Sequence, residues 1–263
     1  MTISLIISTY NRPDALRLCL LSVFNQTIMP DEVLIGDDGS VEETRLLINS
    51  LRPLCPVELK HIWHEDNGFR LAMMRNKCVA TAIGDYIIEI DGDVILHRDF
   101  VKDHISFAKH GYYVKGGRTN IGHKLTDKLC LRGVLSPLNF FTLGIESKPE
   151  NALHLPIIAR LLSSHYRKNR ETALGCNMSF FRTDFIAING YDEFFEGWGG
   201  EDGDLGRRFQ SYGLKKRHLK FAGIVFHLWH EDKYMYNKDI NYAYSKRIDK
   251  PIRCENGIDK YLI

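Results

Sequence analysis

A chain of 263 residues is long enough for one large α/β domain, with or without a small appendage. Its apolar fraction of 44% and charged fraction of 26% are those of an ordinary soluble globular protein. The formal net charge of +2 gives no electrostatic reason to expect nucleic acid as a partner, and none is predicted.

Strand and helix patterns alternate along the first half of the chain. Short apolar runs predict strands over 3–8, 32–36 and 86–90, and alternation of apolar and polar residues predicts another over 57–63. Apolar stripes at helical spacing lie between them, over 16–24, 47–51 and 71–82. This alternation is typical of parallel βαβ units, so we predict an α/β fold with a doubly wound, mainly parallel sheet flanked by helices.

The second half has a less regular pattern. Residues 119–170 have weak periodicity, and we interpret them as an excursion over the active site that carries acceptor contacts. Regular signals return as a strand over 174–181 and a short helix over 184–188. A helical stripe at Leu205, Phe209 and Tyr212 and a strand over 222–226 follow them.

The six cysteines give no evidence of a disulfide or zinc framework. They form no C-x-x-C pair, and several fall inside apolar periodic segments, as do Cys19 and Cys78. We therefore expect free thiols in a reducing cytosol. No apolar run approaches the ~20 residues needed to cross a bilayer, and the first residues do not resemble a signal peptide. The sequence thus predicts a soluble, cytoplasmic protein.

Asp91-Gly92-Asp93 follows the buried strand over 86–90, at the sheet edge where ligands of such folds bind. Hard cations such as Mg²⁺ and Mn²⁺ prefer oxygen ligands and commonly combine one or two carboxylates with substrate phosphates. A solvated turn would also use Asp and Gly. Because a strand end seldom needs two acids for folding, we favour a metal and phosphate site.

Residues 197–205 form the most unusual stretch of the chain, with glycines around Trp198 and three acids in the next helical turn. Carboxylates near a helix N-terminus are favoured in the ionised form, which a general base requires. N-capping would explain one acid but not Glu201, Asp202 and Asp204 together. We therefore interpret this stretch as catalytic.

Two histidines follow the predicted strand over 222–226. His227 and His230 are either structural or ligands of the same metal, and His227, at the strand end, is the better candidate ligand.

Taken together, these motifs resemble the family 2 glycosyltransferases of the GT-A fold. The matching segments are 8–13 (Ser-Thr-Tyr-Asn-Arg-Pro), 37–40 (Asp-Asp-Gly-Ser), Arg75-Asn76 and 91–93. Residues 175–179, 189–193 and 197–205 resemble the C-terminal part of galactosyltransferase-type enzymes. The resemblance covers roughly residues 2–118 and 172–232. It implies one GT-A domain, with a nucleotide-sugar-binding half over 1–118 and an acceptor-binding and catalytic half over 119–263.

The resemblance also implies a role for each matched residue. Donor contacts would come from Thr9, Tyr10, Asn11, Arg12, Asp37, Asp38, Arg75, Asp91 and Gly92. Mn²⁺ or Mg²⁺ would be held by Asp93, His227 and Asp91. The acceptor or sugar would lie against Trp198, Gly199 and Gly200. Asp202 would be the catalytic base, with Glu201 holding the sugar or acceptor. One departure from the family pattern is Gly203, which displaces the usual third acid to Asp204.

The resemblance implies an inverting, metal-dependent transfer of a hexose or N-acetylhexosamine from a UDP-sugar to an acceptor hydroxyl. A galactose-type donor is favoured, and the expected acceptor is a glycan or lipid-linked glycan of surface polysaccharide or lipopolysaccharide synthesis. The alternative is a nucleotide-sugar-binding protein without transfer activity. A sugar-1-phosphate nucleotidyltransferase is disfavoured, since it needs a glycine-rich loop where residues 8–13 contain no glycine.

A basic and apolar stretch within the excursion suggests peripheral contact with the inner face of a membrane. Its basic residues are Arg160, His165, Arg167, Lys168 and Arg170, and its apolar residues are Leu155, Ile157, Ile158, Leu161 and Leu162. A solvated helix that packs on the domain is the alternative.

Overall fold

The computed structural model describes residues 1–163, 173–231, 235–247 and 251–262. The elements of the first half are β1 (Ile3–Thr9), α1 (Pro13–Phe24), β2 (Glu32–Asp37), α2 (Glu42–Leu51), β3 (Glu58–Trp63), α3 (Leu71–Thr81), β4 (Tyr86–Asp91), β5 (Val94–Leu96), α4 (Phe100–Phe107) and β6 (Tyr112–Gly116). Those of the second half are β7 (Thr119–Ile121), α5 (His123–Arg132), β8 (Ile145–Ser147), α6 (Pro156–Leu162), β9 (Met178–Phe181), α7 (Arg182–Ala187), α8 (Glu201–Ser211), β10 (Lys215–Leu219), β11 (Val225–His227) and α9 (Lys238–Ser245).

The described strands form a large sheet in the order β10-β6-β9-β4-β1-β2-β3. The pairs β1–β2, β1–β4, β2–β3 and β6–β10 are parallel, whereas β9 is antiparallel to both of its neighbours, β4 and β6. The predicted α/β fold with a mainly parallel sheet is therefore confirmed. The parallel register places the carboxyl ends of β1, β2 and β4 side by side, which brings residues 9, 37 and 91 to one edge.

Both faces of the large sheet are covered, as the apolar run of β1 predicts. Leu5 and Ile7 pack in a core layer that includes α1 residues such as Leu16. Ile6, which points the other way, packs in a second layer with Met74 of α3. Burial on both faces explains why this strand contains no alternation of polar and apolar residues.

A second, smaller sheet has the strand order β5-β11-β7-β8. Its strands have only three residues each, yet the β5–β11 pairing sets the position of a functional segment. In that pairing His227 lies opposite Val94, which is the residue directly after Asp93 in the chain. The backbone N–H of Leu228 donates to the carbonyl of Asp93 at 2.9 Å, which fixes the two segments together.

Two predicted strands are shorter than the sequence suggests. The predicted strand over 174–181 begins only at Met178, because residues 174–177 form a turn in which Asn177 N–H donates to Leu174 O. The predicted strand over 222–226 begins at Val225, after Gly223 in the left-handed region with φ of 56°. Both turns bring backbone groups towards the interior.

The six cysteines are all free, as predicted. Among the described residues, none of the helices is both long and apolar enough to cross a membrane.

Candidate active site

A buried guanidinium joins the two halves of the site. Arg75 of α3 is 1% exposed, and its Nη2 lies 3.0 Å from Asp91 Oδ1 at the end of β4. Its Nη1 donates to Asp202 Oδ1 at 2.9 Å, in the first turn of α8, and lies 3.9 Å from Glu201 Oε1. The sheet-edge acid and the α8 acids, 111 residues apart for Asp91 and Asp202, are therefore held by one side chain.

The Asp202 carboxylate is fixed at both oxygens. While Oδ1 accepts from Arg75, Oδ2 accepts the backbone N–H of Gly175 at 2.6 Å. The turn at 174–177 needs glycine here, since a Cβ on residue 175 would lie 2.3 Å from Arg75 Nη2. The shortened strand β9 and the position of Asp202 thus have the same cause.

Sequence reasoning missed two members of this cluster. Glu89 is fully buried, and its Oε1 lies 3.2 Å from Arg75 Nε and accepts from the Tyr191 hydroxyl at 2.6 Å. The signal for Glu89 was present, because a carboxylate inside the apolar strand of 86–90 requires a buried partner. Tyr191 gave no comparable signal, since its partner is 102 residues away.

Burial and the repulsion of neighbouring acids raise the pKa of three carboxyl groups of this cluster, those of Glu89, Asp91 and Glu201. Burial raises the pKa of Glu89 to about 7, and burial together with Asp202 raises that of Glu201. Burial also raises the pKa of Asp91. The Arg75 guanidinium lowers this pKa, whereas the charges of Asp93 and Asp202 raise it further. Four carboxylates around one guanidinium leave a net negative site that a cation would stabilise.

Asp93 is the centre of a separate group of ligand atoms. His227 Nε2 lies 3.5 Å from its Oδ1, and His230 Nε2 lies 3.6 Å from its Oδ2. One ligand atom from each of the three residues falls within 4.8 Å of the others. The structure therefore brings both histidines to Asp93. Asp91, also predicted as a metal ligand, is outside this group of three, and its Oδ1 accepts from Arg75 Nη2 at 3.0 Å.

A divalent cation fits this group. Asp93 Oδ1 is buried and has no hydrogen-bond partner among the described residues, as expected of an oxygen that awaits a ligand. Burial lowers the pKa of His227, which keeps the imidazole neutral and able to coordinate. Asp93 Oδ2 accepts from Arg12 Nη1 at 2.8 Å, and Arg12 Nη2 donates to the Trp229 carbonyl. Arg12 therefore lies beside this group of ligand atoms.

A second group of potential metal ligands lies at the far end of β5. It consists of His97, Asp99 and His154, whose ligand atoms also lie within 4.8 Å of one another. These residues hold other partners, including Thr27 for Asp99 at 2.7 Å and Asp103 for His154 at 3.0 Å.

The predicted donor residues Thr9, Asp37 and Asp38 meet at the edge formed by β1 and β2. Thr9 is 7% exposed, and its carbonyl accepts the N–H of Asp38 at 3.1 Å. Asp37 bonds to His61 Nε2 at 3.0 Å and to the N–H of Ser40 at 2.8 Å. Asp37 thus shapes the turn after β2.

Asp38 is similarly engaged, with His64 Nε2 at 2.6 Å and the N–H of Arg70 at 2.8 Å. The Tyr10 hydroxyl donates to Asp66 at 2.9 Å, and Asn11 N–H donates to Ser40 Oγ at 2.8 Å. Tyr10 and Asn11 therefore lie at the outer side of this sheet edge, against Asp66 and Ser40.

Gly92 and the loop before α8 bring backbone close to the site. Gly92 N–H donates to Ser8 O at 2.7 Å, and a Cβ there would lie 3.0 Å from that oxygen. Gly199 and Gly200 have φ of 84° and 98°, conformations that side chains rarely adopt. They turn the chain from Trp198, which is 39% exposed, into α8, where Glu201 begins the helix as predicted.

The third acid of α8 has a structural role. Asp204 is 1% exposed, and its Oδ2 accepts from Arg208 Nε at 2.7 Å, one turn along the same helix. Arg208 also donates to Ile188 O at 3.0 Å, so this pair attaches α8 to the end of α7. Asp204, the third acid that Gly203 displaces from its usual position in the family pattern, therefore lies outside the Arg75 cluster.

The fold and the sequence match known glycosyltransferases. The solved structure of Staphylococcus aureus TarS 1–349 in complex with UDP-GlcNAc superposes with a TM-score of 0.57 at 18% identity, covering 89% of this chain and 60% of that one. The corresponding complex with UDP gives 0.57 at 17% identity over 87% and 61%. These likenesses define the class of protein as one with the GT-A fold.

The model of glycosyl transferase family 2 matches residues 4–183, about two thirds of the chain, and the chain therefore belongs to this family. The model of the N-terminal domain of galactosyltransferase matches residues 156–231. The resemblance inferred from the motifs is thus confirmed.

Curated relatives carry several different names. Validoxylamine A glucosyltransferase of Streptomyces hygroscopicus subsp. limoneus is 28% identical over 81% of this chain and 48% of its own length. Chondroitin synthase of Pasteurella multocida is 26% identical over 86% of this chain and 24% of its own. Hyaluronan synthase of Pasteurella multocida is 27% identical over 80% and 23%. The chain spans about half or less of the length of these relatives.

Proposed function

We propose that the protein is an inverting glycosyltransferase that moves a hexose or N-acetylhexosamine from a UDP-sugar to a hydroxyl of a glycan or glycolipid acceptor. The observation that carries this proposal is the fixed Asp202 carboxylate, which Arg75 holds beside Asp91 of the sheet edge. In this proposal the carboxylate would be the proton acceptor, next to a donor site whose acidic side chains favour a bound cation. Membership of glycosyl transferase family 2 supports it.

In the proposed reaction the acceptor hydroxyl transfers its proton to Asp202 as its oxygen attacks the anomeric carbon. The bond from that carbon to the diphosphate breaks, UDP leaves, and the configuration at the carbon inverts. The hydrogen bonds from Arg75 and Gly175 leave the Asp202 carboxylate little freedom to rotate, which favours a productive alignment. Glu201, one residue earlier, would contact the sugar or the acceptor.

Asp93, His227 and His230 would hold Mn²⁺ or Mg²⁺, with Asp91 close by. When bound, the cation would neutralise the charge that develops on the diphosphate. The unpartnered Asp93 oxygen and the neutral His227 support this assignment. Thr9, Tyr10, Asn11, Arg12, Asp37, Asp38 and Gly92 would surround the uridine and phosphates, and Trp198, Gly199 and Gly200 would contact the acceptor.

The test is a screen for UDP release from several UDP-sugars with Mn²⁺, with and without candidate acceptor glycans. We expect release with one preferred donor and faster release with the correct acceptor. Tight UDP binding without hydrolysis or transfer would instead support the alternative, a nucleotide-sugar-binding protein. UDP-galactose or UDP-N-acetylgalactosamine is the proposed donor, with UDP-glucose as the next candidate, and the match to the galactosyltransferase model supports the first choice.

We also propose contact of the excursion with an anionic membrane surface, where a lipid-linked acceptor would lie. On α6, Ile157 is 77% exposed and Leu161 is 76% exposed, and Arg160 lies between them. Of the other basic residues of this stretch, His165, Arg167, Lys168 and Arg170 lie outside the described residues. Exposed apolar side chains beside a cation are typical of an interfacial helix.

Sedimentation with phosphatidylglycerol vesicles at low and high salt tests membrane contact. We expect salt-sensitive pelleting that Leu161→Ser weakens, whereas Leu46→Ser, at a residue that is 58% exposed on α2, leaves it unchanged. Absence of pelleting at low salt rules the contact out.

A further inference from the structure

An open groove of about 670 Å³ lies beside Trp198, between the loop that leads into α8 and helix α9. Its lining residues are Trp198, Lys238, Asp239, Tyr242, Ala243 and Lys246. One of these residues, Trp198, stands three residues before Glu201 in the chain, so the groove is connected through this loop to the helix that carries the proposed catalytic acids. Neither the motifs of the sequence nor the matched family segments pointed to α9.

One face of α9 carries a repeated pattern of cation, aromatic ring and cation. Lys238 and Tyr242 of α9 and Lys246, the residue at its C-cap, follow each other at a spacing of four residues, so their side chains lie on one side of the helix. Lys238 Nζ lies 5.2 Å from the centroid of the Trp198 ring, and Lys246 Nζ lies 4.7 Å from that of Tyr242. These cation–π contacts hold both ammonium groups beside the exposed rings.

The two walls of the groove are attached to each other. Asn241, which is 1% exposed, donates through Nδ2 to the carbonyls of Glu196 at 2.9 Å and Trp198 at 3.3 Å. The N–H of Trp198 donates to the carbonyl of Tyr236 at 3.1 Å. The position of α9 relative to Trp198 therefore depends on buried and backbone hydrogen bonds, not on surface side chains alone.

The groove is positively charged and aromatic at once. Within the described part of the chain, neither Lys238 nor Lys246 forms an ion pair with a carboxylate, and Asp239 is the one acid in the lining. Trp198 and Tyr242 are 39% and 53% exposed. Rings of this kind suit the apolar face of a sugar, and the two ammonium groups beside them suit an anionic substituent on it.

We infer that this groove binds the acceptor as an acidic glycan, with sugar rings on Trp198 or Tyr242 and carboxylates of the glycan at Lys238 and Lys246. The inference rests on the proposed transfer function, since it names the substrate class for the acceptor side of that site. A glycan chain lying along α9 would present its terminal hydroxyl towards Asp202, because the Trp198 loop runs directly into the helix that carries Asp202.

The experiment measures binding of a hexagalacturonate and of its carboxyl-reduced, neutral counterpart by titration calorimetry, without donor or metal. We expect the acidic oligosaccharide to bind about tenfold more tightly than the neutral one. Lys238→Ala and Lys246→Ala should each weaken binding of the acid about three- to fivefold and leave the neutral form nearly unchanged. Tyr242→Ala should weaken both.

Lys128→Ala, which removes an exposed lysine from α5, is the matched control and should not change either affinity. Equal affinity for the acidic and neutral oligosaccharides, or an equal loss in Lys128→Ala, would overturn the inference. So would equally tight binding of an oligo(glycerol phosphate), which carries anions but no sugar ring. This binding experiment contains no donor, so its result does not depend on transfer. If the acidic glycan binds as expected but the separate UDP-release screen shows no transfer, the proposed function fails and the inference about the groove stands.

Discussion

At the level of single residues, the site shows how acids that look alike in the sequence acquire different roles. Asp202 and Asp204 both lie in the first turn of α8, yet only Asp202 faces Arg75 and Gly175. Asp204 is paired within its own helix to Arg208. Helical spacing alone puts two residues on nearly opposite sides, but the sequence does not say which side faces the site, because that depends on tertiary contacts with α3.

Asp202→Asn should lower the rate of transfer by about 10² to 10⁴, the usual contribution of a general base, while UDP binding in Mn²⁺ stays close to that of the wild type. UDP affinity by calorimetry and turnover by UDP release are the measurements. Asp204→Asn is the control at a neighbouring position. It should lower the free energy of unfolding by about 3 kcal/mol, since it leaves Arg208 buried without its partner, and retain measurable transfer.

Asp93→Ala should abolish both transfer and metal-dependent UDP binding, because it removes the carboxylate shared by His227 and His230. Asp99→Ala removes the carboxylate of the other ligand group and should leave Mn²⁺-dependent UDP binding intact. Titration of UDP with and without Mn²⁺ distinguishes the variants. Tight, metal-dependent binding of UDP to Asp93→Ala would show that the ligand assignment is wrong.

At the level of elements, predictions from the sequence were best where a strand or helix buries a long apolar face. The strand over 3–8 and the helices at 16–24 and 71–82 agree with β1, α1 and α3 within a few residues. The three-residue strands β5, β7 and β8 were not predicted, since so short a run has no readable period and its pairing is non-local. Strand β11 was predicted, with a start three residues too early, as the strand over 222–226. The pairing of β11 with β5 brings His227 to Asp93. The family pattern implied that these two residues share a metal, but the strand pairing that places them together could not be predicted from the sequence.

Helix α4 is attached to β9 by a buried histidine, and this contact should make stability depend on pH. His104 is fully buried, with Nδ1 2.7 Å from Ser179 Oγ and Nε2 3.0 Å from Asn177 Oδ1. Burial lowers the pKa of His104 from 6.5 to about 4. The unfolded chain therefore binds a proton that the folded chain refuses between these two values, and stability present above pH 6.5 is lost as the pH falls towards 4.

Between pH 7 and pH 5 the wild type should lose about 2 kcal/mol more unfolding free energy than His104→Gln, which does not titrate. Urea unfolding at the two pH values gives the difference. His123→Gln, at an exposed histidine of α5, serves as the reference and should lose as much as the wild type. An identical pH dependence of His104→Gln and the wild type would exclude His104 as the cause.

At the level of the whole molecule, the last described segment, residues 251–262, packs into the core near the site. Ile258 is fully buried in the same core layer as Met74 of α3. Its N–H donates to the carbonyl of Asn189 at 2.9 Å, and Asn189 Nδ2 donates to Cys254 O at 2.9 Å. Nearby, Asn76 donates to Glu193 Oε1 at 2.9 Å, next to Arg75. No pattern in the sequence predicted this packing, because the segment is too short to show a period.

Ile258→Ala should therefore lower the free energy of unfolding by about 3 kcal/mol, the usual result of emptying a buried aliphatic site. Ile252→Ala, at a residue that is 42% exposed in the same segment, should cost less than about 1 kcal/mol. Equilibrium unfolding in urea measures both. Equal losses would mean that Ile258 does not contribute to the core as its burial indicates.

The position of β9 has a consequence for recombining this chain with its relatives. This strand belongs to the second half of the sequence but pairs between β4 and β6 of the first. A chimera with a crossover near residue 118 would force a foreign strand into the middle of the sheet. It would also place Arg75 against the relative's residues at the positions of Gly175 and Asp202. Exchange of the proposed acceptor groove is better attempted by grafting α9 and the Trp198 loop alone, which leaves every strand with its native neighbours.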